Sequence, residues 1–281
     1  AIASSSNRWL HCGHGYSGPL AGVRLIYPPC MVNFREQSFL QIMNPHYAVP
    51  LGSPSWIGLN LGMLVIVSGI LWISRRWERD RAHRFGKGMA ILLIVNLLLR
   101  QVVLLLSGEW SAAYSLPLQM CSFSVIWAAI TLWKGNQLTY ELLLFWGAGA
   151  LHSFLTPELD DGNSLYNHVE YTISHAGILV SGLYATMRMG MVPRPWSWLR
   201  VLGITQLVLP IIGLVNYALG SNYMYIASRP LIDNPFLIGE WPWYIIGLEF
   251  AALLHFVLFY GIHRFLGQRY SPLDSRSVPV A

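Results

Sequence analysis

The residues best suited to do chemistry centre on one thiol. Cys121 lies in SLPLQMCSFSVIWAAI, residues 115–130, an apolar run expected to form a helix with the sulfur about two turns in. A thiol becomes a nucleophile when a base takes its proton. The best-placed base is His175, in Ser174-His175-Ala176-Gly177 two apolar stretches later, with Ser174 and Glu170 within about a turn to orient it. Without such company a cysteine in an apolar helix is a small buried hydrophobe. His152 is the competing base; as a lone histidine near a helix end it also reads as a satisfied interfacial side chain.

A metal-assisted alternative rests on His152, His168, His175, Glu158, Asp160 and Asp161, which share one side of the chain's expected topology. A metal-bound water could attack an ester or amide. No HxxxH pair puts two ligands on adjacent turns, however, and the acids read more simply as a solvated loop, so neither a metal nor a cofactor is expected. The remaining candidates are binding groups. Arg100 shares a helix face with Asn96 at i,i+4 and would hold a phosphate or carboxylate head group. Glu170, His152, Asn216 and Glu249 complete the expected substrate-binding set. The plainer account of Asn96, Arg100 and Asn216 is interhelical hydrogen bonding.

The elements that must carry these groups follow from composition. Of 281 residues, 54% are hydrophobic and 11% charged, against about a quarter charged in soluble domains. Seven apolar stretches, about 56–73, 89–106, 115–133, 138–155, 169–187, 201–219 and 243–266, approach the roughly 20 residues a bilayer requires. The expected fold class is therefore all-α, a polytopic membrane protein with a seven-transmembrane-helix bundle over residues 55–267. The net charge of +5 is no sign of nucleic acid, because the bases sit in alternate loops. Residues 75–87 carry Arg75, Arg76, Arg79, Arg81, Arg84 and Lys87, and Lys134, Arg188, Arg194, Arg200 and Arg269 follow on the same side. The opposite loops hold Arg229 alone. Basic loops stay cytoplasmic, which places the N-terminus outside the cell membrane and the tail, 268–281, inside. Trp241-Pro242-Trp243-Tyr244 suits an interfacial belt at the outer end.

Counting depth at about 1.5 Å per residue, Arg100, Cys121, His152, Glu170, His175, Asn216 and Glu249 all fall within roughly 10 Å of the outer boundary. Glu141 lies near the inner end and His255 near mid-depth. Polar groups inside a membrane face a cavity or a partner, and this asymmetry favours a site open to the outer leaflet over a channel lined throughout. Residues 1–54 form an extension with neither helical period nor a signal-peptide run. Its Cys12, with His11 and His14, lacks zinc spacing, Cys12 and Cys30 make no disulfide framework, and Met31 or Met43 is the expected natural start.

The runs LPLQMCS (116–122), LTPEL (155–159), HVEYTISH (168–175), Asn216 with SNYMY (221–225), and EWPWYI (240–245) resemble the YwaF-like family of integral membrane proteins, to which the eukaryotic transmembrane protein 164 is related. The similarity covers about residues 34–266. It implies a seven-helix bundle and, from the eukaryotic branch, cysteine-dependent acyl transfer on phospholipids, with Cys121 matching the nucleophile and His175 its partner. More distant relatives, the androgen-induced membrane hydrolases, are similar in using a Thr and a His on lipid esters. A shared fold does not fix the reaction.

Two functions follow as expectations. In one, Cys121 and His175 form a thioester from a membrane phospholipid and pass the acyl group to an alcohol, or to water as a hydrolase. In the other, a non-catalytic lipid-binding or transport protein holds a head group in its outer polar pocket. Oligomeric state is not encoded in any of these patterns. The topology is directly testable: a reporter fused after Leu266 is expected to read as cytoplasmic, and one inserted between Asp161 and Gly162 as extracytoplasmic. Both reporters on one side would remove the odd-crossing topology.

Overall fold

Proline and glycine set most of the helix ends. In the computed structural model, which describes residues 47–230 and 237–270, Ser53 caps the first helix through Trp56 N and Pro54 opens it. The chain then runs α1 Pro54–Ser74, α2 Arg79–Ser107, α3 Met120–Lys134, α4 Gln137–Trp146, α5 Gly149–Leu155, α6 Leu165–Met189, α7 Ser197–Leu219 and α8 Trp243–Tyr270. Helices α2, α3, α6 and α7 each end at a glycine in the left-handed conformation. Each expected apolar segment contains helix, and the described residues belong to the unit formed by residues 33–281. The calls on Cys12, Cys30, His11, His14, Met31 and Met43 lie outside the described residues.

Three boundaries differ from expectation, each for a local reason. The third segment turns helical only at Met120, because Pro117 has no N–H to give and holds its neighbour extended. Cys121 is therefore in the first turn of α3 rather than two turns in. The fourth segment is broken into α4 and α5 around Gly147, where a β-carbon would lie 2.3 Å from Leu143 O and 2.7 Å from Ile178 Cγ2. Only glycine fits so close an approach to α6. The end of the N-terminal extension is also ordered: strand β1, Tyr47–Ala48, pairs antiparallel with β2, Glu158–Leu159, in the loop before α6.

Helix α6 is the hub, packing against α1, α2, α3, α4, α5 and α8. At Gly177 it meets α2 so closely that a β-carbon would stand 2.4 Å from Leu93 Cδ2. Helix α4 is central, with Thr139 to Trp146 all buried. Four helices, α1, α2, α7 and α8, are long and apolar enough to cross a bilayer, and α3 is apolar but shorter. They turn large side chains such as Leu64, Leu98, Leu207 and Leu258 outward. An apolar outer surface over helices whose backbone groups are paired internally is what a bilayer requires: this is a helical, multi-pass membrane protein.

The basic loops gather at one end of the bundle. Arg188 donates to the carbonyls of Arg75 (3.0 Å) and Trp77 (2.6 Å). The fully buried Glu141 accepts from Arg194 Nε (2.9 Å), Arg194 Nη2 (2.7 Å), Arg194 N (2.9 Å), Arg200 Nη1 (3.1 Å) and Gln137 Nε2 (3.1 Å). This ties the start of α4 to the α6–α7 connection. Removing a buried carboxylate costs about 3–5 kcal/mol, less where the partners are half-exposed as both guanidinium groups are here. Glu141→Ala is expected to lose stability toward the low end of that range in detergent unfolding, whereas Arg200→Ala, which leaves the Arg194 fork in place, should lose under about 1 kcal/mol. Equal small losses would mean that the cluster holds nothing together.

Candidate functional site

At the end opposite the basic loops, α2 to α8 enclose a cavity of about 460 Å³. Arg100, Cys121, His152, Glu170, His175 and Glu249 all line it, joined by Ser153, Asp161, Tyr225 and His255. Asn216 does not. Its side chain is turned to the backbone, accepting from Tyr223 N (2.8 Å) and donating to Tyr223 O (3.0 Å). It braces the loop after α7, away from the cavity on which the rest of the expected substrate-binding set converges.

Cys121 is a free thiol at the N-terminal turn of α3. The unpaired backbone N–H groups and dipole of such a turn favour an anion. Ser153 on α5 lines the same cavity as the sulfur. His175 faces the same cavity from α6. Its Nδ1 lies 2.9 Å from Tyr171 O, and since a carbonyl only accepts, Nδ1 carries the hydrogen. The neutral ring then keeps its lone pair on Nε2, which has no hydrogen bond among the described residues. The imidazole stacks on Tyr171 (centroids 4.0 Å) and meets the edge of Phe154 (6.3 Å). Tyr171 OH in turn donates to Ser153 O at 2.5 Å. No hydrogen bond joins Cys121 to His175 directly; catalytic hydrogen bonds in empty sites are commonly long.

Two further expected roles meet different partners in the structure. Glu170 and Ser174 do not hold His175: Ser174 Oγ donates to Glu170 Oε1 (2.8 Å), and Asn96 Nδ2 reaches Ser174 Oγ (2.9 Å) and Glu170 Oε1 (3.2 Å). Their network ties α6 to α2. Arg100 was expected to fork onto a phosphate, but its fork is taken by Asp161, with Nε to Oδ2 at 2.8 Å and Nη2 to Oδ1 at 3.1 Å. Asp160 stands 3.9 Å from the same guanidinium. The acidic loop is thus folded against the bundle rather than solvated. Burial makes the pairing compulsory, since a guanidinium in low dielectric requires a counter-charge.

A protein-family model described as TMEM164 family matches residues 50–260. The chain belongs to the TMEM164 family. This bears out the relation to transmembrane protein 164 that the sequence motifs carry. No curated protein and no solved structure gives a match. Within this TMEM164-family fold, each quoted run has a physical job. Pro117 delays α3, and Tyr171 and His175 of HVEYTISH stack on each other. In SNYMY, Met224 and Tyr225 adopt left-handed φ of 56° and 53°. Three contacts hold that strained turn over the cavity: Gln119 Oε1 on Met224 N (2.8 Å), Tyr244 OH on Tyr225 O (2.7 Å) and the Asn216 brace.

Sequence reasoning missed His255, Ser153 and Asp161 as site residues. His152 Nε2 and His255 Nε2 are 2.6 Å apart, with the rings 4.6 Å apart and at 68°. Counting depth along each segment had separated them, His152 near the outer end of the fourth and His255 near the middle of the seventh. His168, the third histidine of the metal alternative, instead contacts Ser164 O (2.9 Å). No group of three or more metal-ligating side chains converges among the described residues.

The ion pair yields a double-mutant test. Arg100→Ala and Asp161→Ala should each destabilise by leaving the other charge buried and unpaired, and the double variant should recover part of the loss. The expected coupling is about 1–3 kcal/mol in detergent unfolding. Additive losses would show that the two side chains act independently.

Proposed function

We propose that this protein is a thiol-dependent acyltransferase or hydrolase of phospholipid esters, acting from a cavity that opens toward the outer leaflet of the cell membrane. The observation that carries this reading is the state of His175: with Nδ1–H committed to Tyr171 O and the ring clamped by Tyr171 and Phe154, Nε2 is the available base in the cavity that Cys121 lines. A clamped neutral imidazole is what a general base for a thiol must be.

The cycle follows. His175 Nε2 takes the Cys121 proton, and the thiolate attacks the ester carbonyl at the start of α3. The C–O bond breaks, and the lysolipid oxygen leaves with the proton from His175. An acceptor hydroxyl then resolves the thioester; water in that place gives hydrolysis. Head-group binding falls to Glu249, which takes a hydrogen bond from Gln206 Nε2 (2.7 Å), together with Glu170 and Arg100, the last acting through the loop that it holds. The expected orientation, with seven crossings, the N-terminus outside and the tail cytoplasmic, puts this cavity on the extracytoplasmic side.

Members of a nucleophile–base pair fail together. Cys121→Ala and His175→Ala should each abolish turnover of a lipid-ester panel, with the double variant no worse than either. Cys121→Ser should fold normally and turn over slowly, a hydroxyl being far harder to deprotonate than a thiol. Full activity in Cys121→Ala would remove the mechanism and leave a lipid-binding protein.

A further inference from the structure

The His152–His255 pair has no part in the cycle just described, although both rings line the same cavity. Its hydrogens can be placed from the partners. His255 Nδ1 lies 2.6 Å from Ala251 O, an acceptor only, so Nδ1 carries hydrogen. In the neutral ring Nε2 is then an acceptor, and the 2.6 Å contact requires His152 Nε2 to donate. His152 is therefore the Nε2–H tautomer with its lone pair on Nδ1. That atom has no hydrogen bond among the described residues. A proton gained at Nδ1 does not stay on one ring, because the shared Nε2 hydrogen can pass to His255, whose Nδ1–H remains held by the Ala251 carbonyl. The pair sits on α5 and α8, and His175 on α6. The cavity thus holds two separate imidazole bases: His175, locked by the carbonyl four residues earlier, and His152, held through His255, which is itself locked in that way.

Acyl transfer through a thioester needs a base twice, for two different molecules. We propose that the hydrogen-bonded His152–His255 pair serves the second half of the reaction, with His152 Nδ1 taking the proton of the acceptor hydroxyl as it attacks the Cys121 acyl thioester. This rests on the thioester reading above. In the step, the acceptor O–C bond forms and the C–S bond breaks. The hydroxyl proton goes to His152 Nδ1, and the thiolate leaves. The proton then returns from the pair to the Cys121 sulfur, which restores both. His152 is the catalytic residue of this step, and His255, acting through it, is a positioning residue.

The two half-reactions can be timed separately on the purified full chain. With p-nitrophenyl palmitate as activated donor, p-nitrophenol release and the mass of Cys121 report acylation; added lysophosphatidylcholine then reports resolution. His152→Gln is expected to acylate at the wild-type rate, which also certifies its fold, and to resolve the thioester about 100-fold more slowly. His255→Asn should slow resolution less and change the shape of its pH profile, which a merely structural role would leave alone. Resolution at the wild-type rate in His152→Gln, or equal loss in both half-reactions, overturns the role of the pair while leaving the thioester reading standing. Absence of acyl-Cys121 in the wild-type protein overturns both.

Discussion

The ion pair between Arg100 and Asp161 is the constraint on which the cavity end of the molecule depends. A guanidinium at membrane depth is tolerated only with a counter-charge, and the nearest carboxylates lie in the loop before α6. Drawing Asp161 onto Arg100 folds that loop against the bundle, where Asn167 Nδ2 secures its backbone at Asp161 O and Gly162 O. The same loop contains Glu158–Leu159, the strand that pairs with Tyr47–Ala48. One buried charge thereby organises the helix α2 end, the acidic loop and the residues that lead into α1. The mouth of the cavity is built from what remains.

A second device recurs inside. His168, His175 and His255 each place Nδ1 against the carbonyl four residues earlier, Ser164, Tyr171 and Ala251. A helix always supplies that carbonyl as a further lone pair, so a histidine in hydrocarbon can be oriented without spending a second side chain. The consequence is a fixed tautomer with Nε2 turned to its surroundings. For His175 those surroundings are the cavity of Cys121; for His255 they are His152. The polar side chains that do pair across helices, Asn96 with Glu170 and Ser174, and Glu141 with Arg194 and Arg200, fix the frame rather than the rings.

Much of this was legible in the sequence, and for physical reasons. Hydrophobic runs announce membrane helices because a bilayer penalises every unpaired backbone group, so all seven segments were visible, along with the clustering of bases in alternate loops. Cys121, His175, His152, Glu170, Arg100 and Glu249 stood out because polar groups in apolar helices are few, and they line one cavity. What was hidden depended on faces and breaks. Asn216 looked like a cavity residue from its depth alone, but depth says nothing about which way a side chain turns. His255 was counted at mid-depth along the seventh segment and His152 near the outer end of the fourth, and neither count could show that α5 and α8 bring the two rings together. The partner of Arg100 was invisible because ion pairing between a helix and a loop leaves no periodic mark.

The central claim is that Cys121 carries the acyl group, and a covalent mass is its most direct test. Purified protein quenched during turnover of a phospholipid ester, digested and analysed by mass spectrometry, should yield the peptide containing Cys121 with the added mass of one acyl chain, removable by neutral hydroxylamine as a thioester is. An unmodified Cys121 peptide in a sample that is accumulating product would contradict the account.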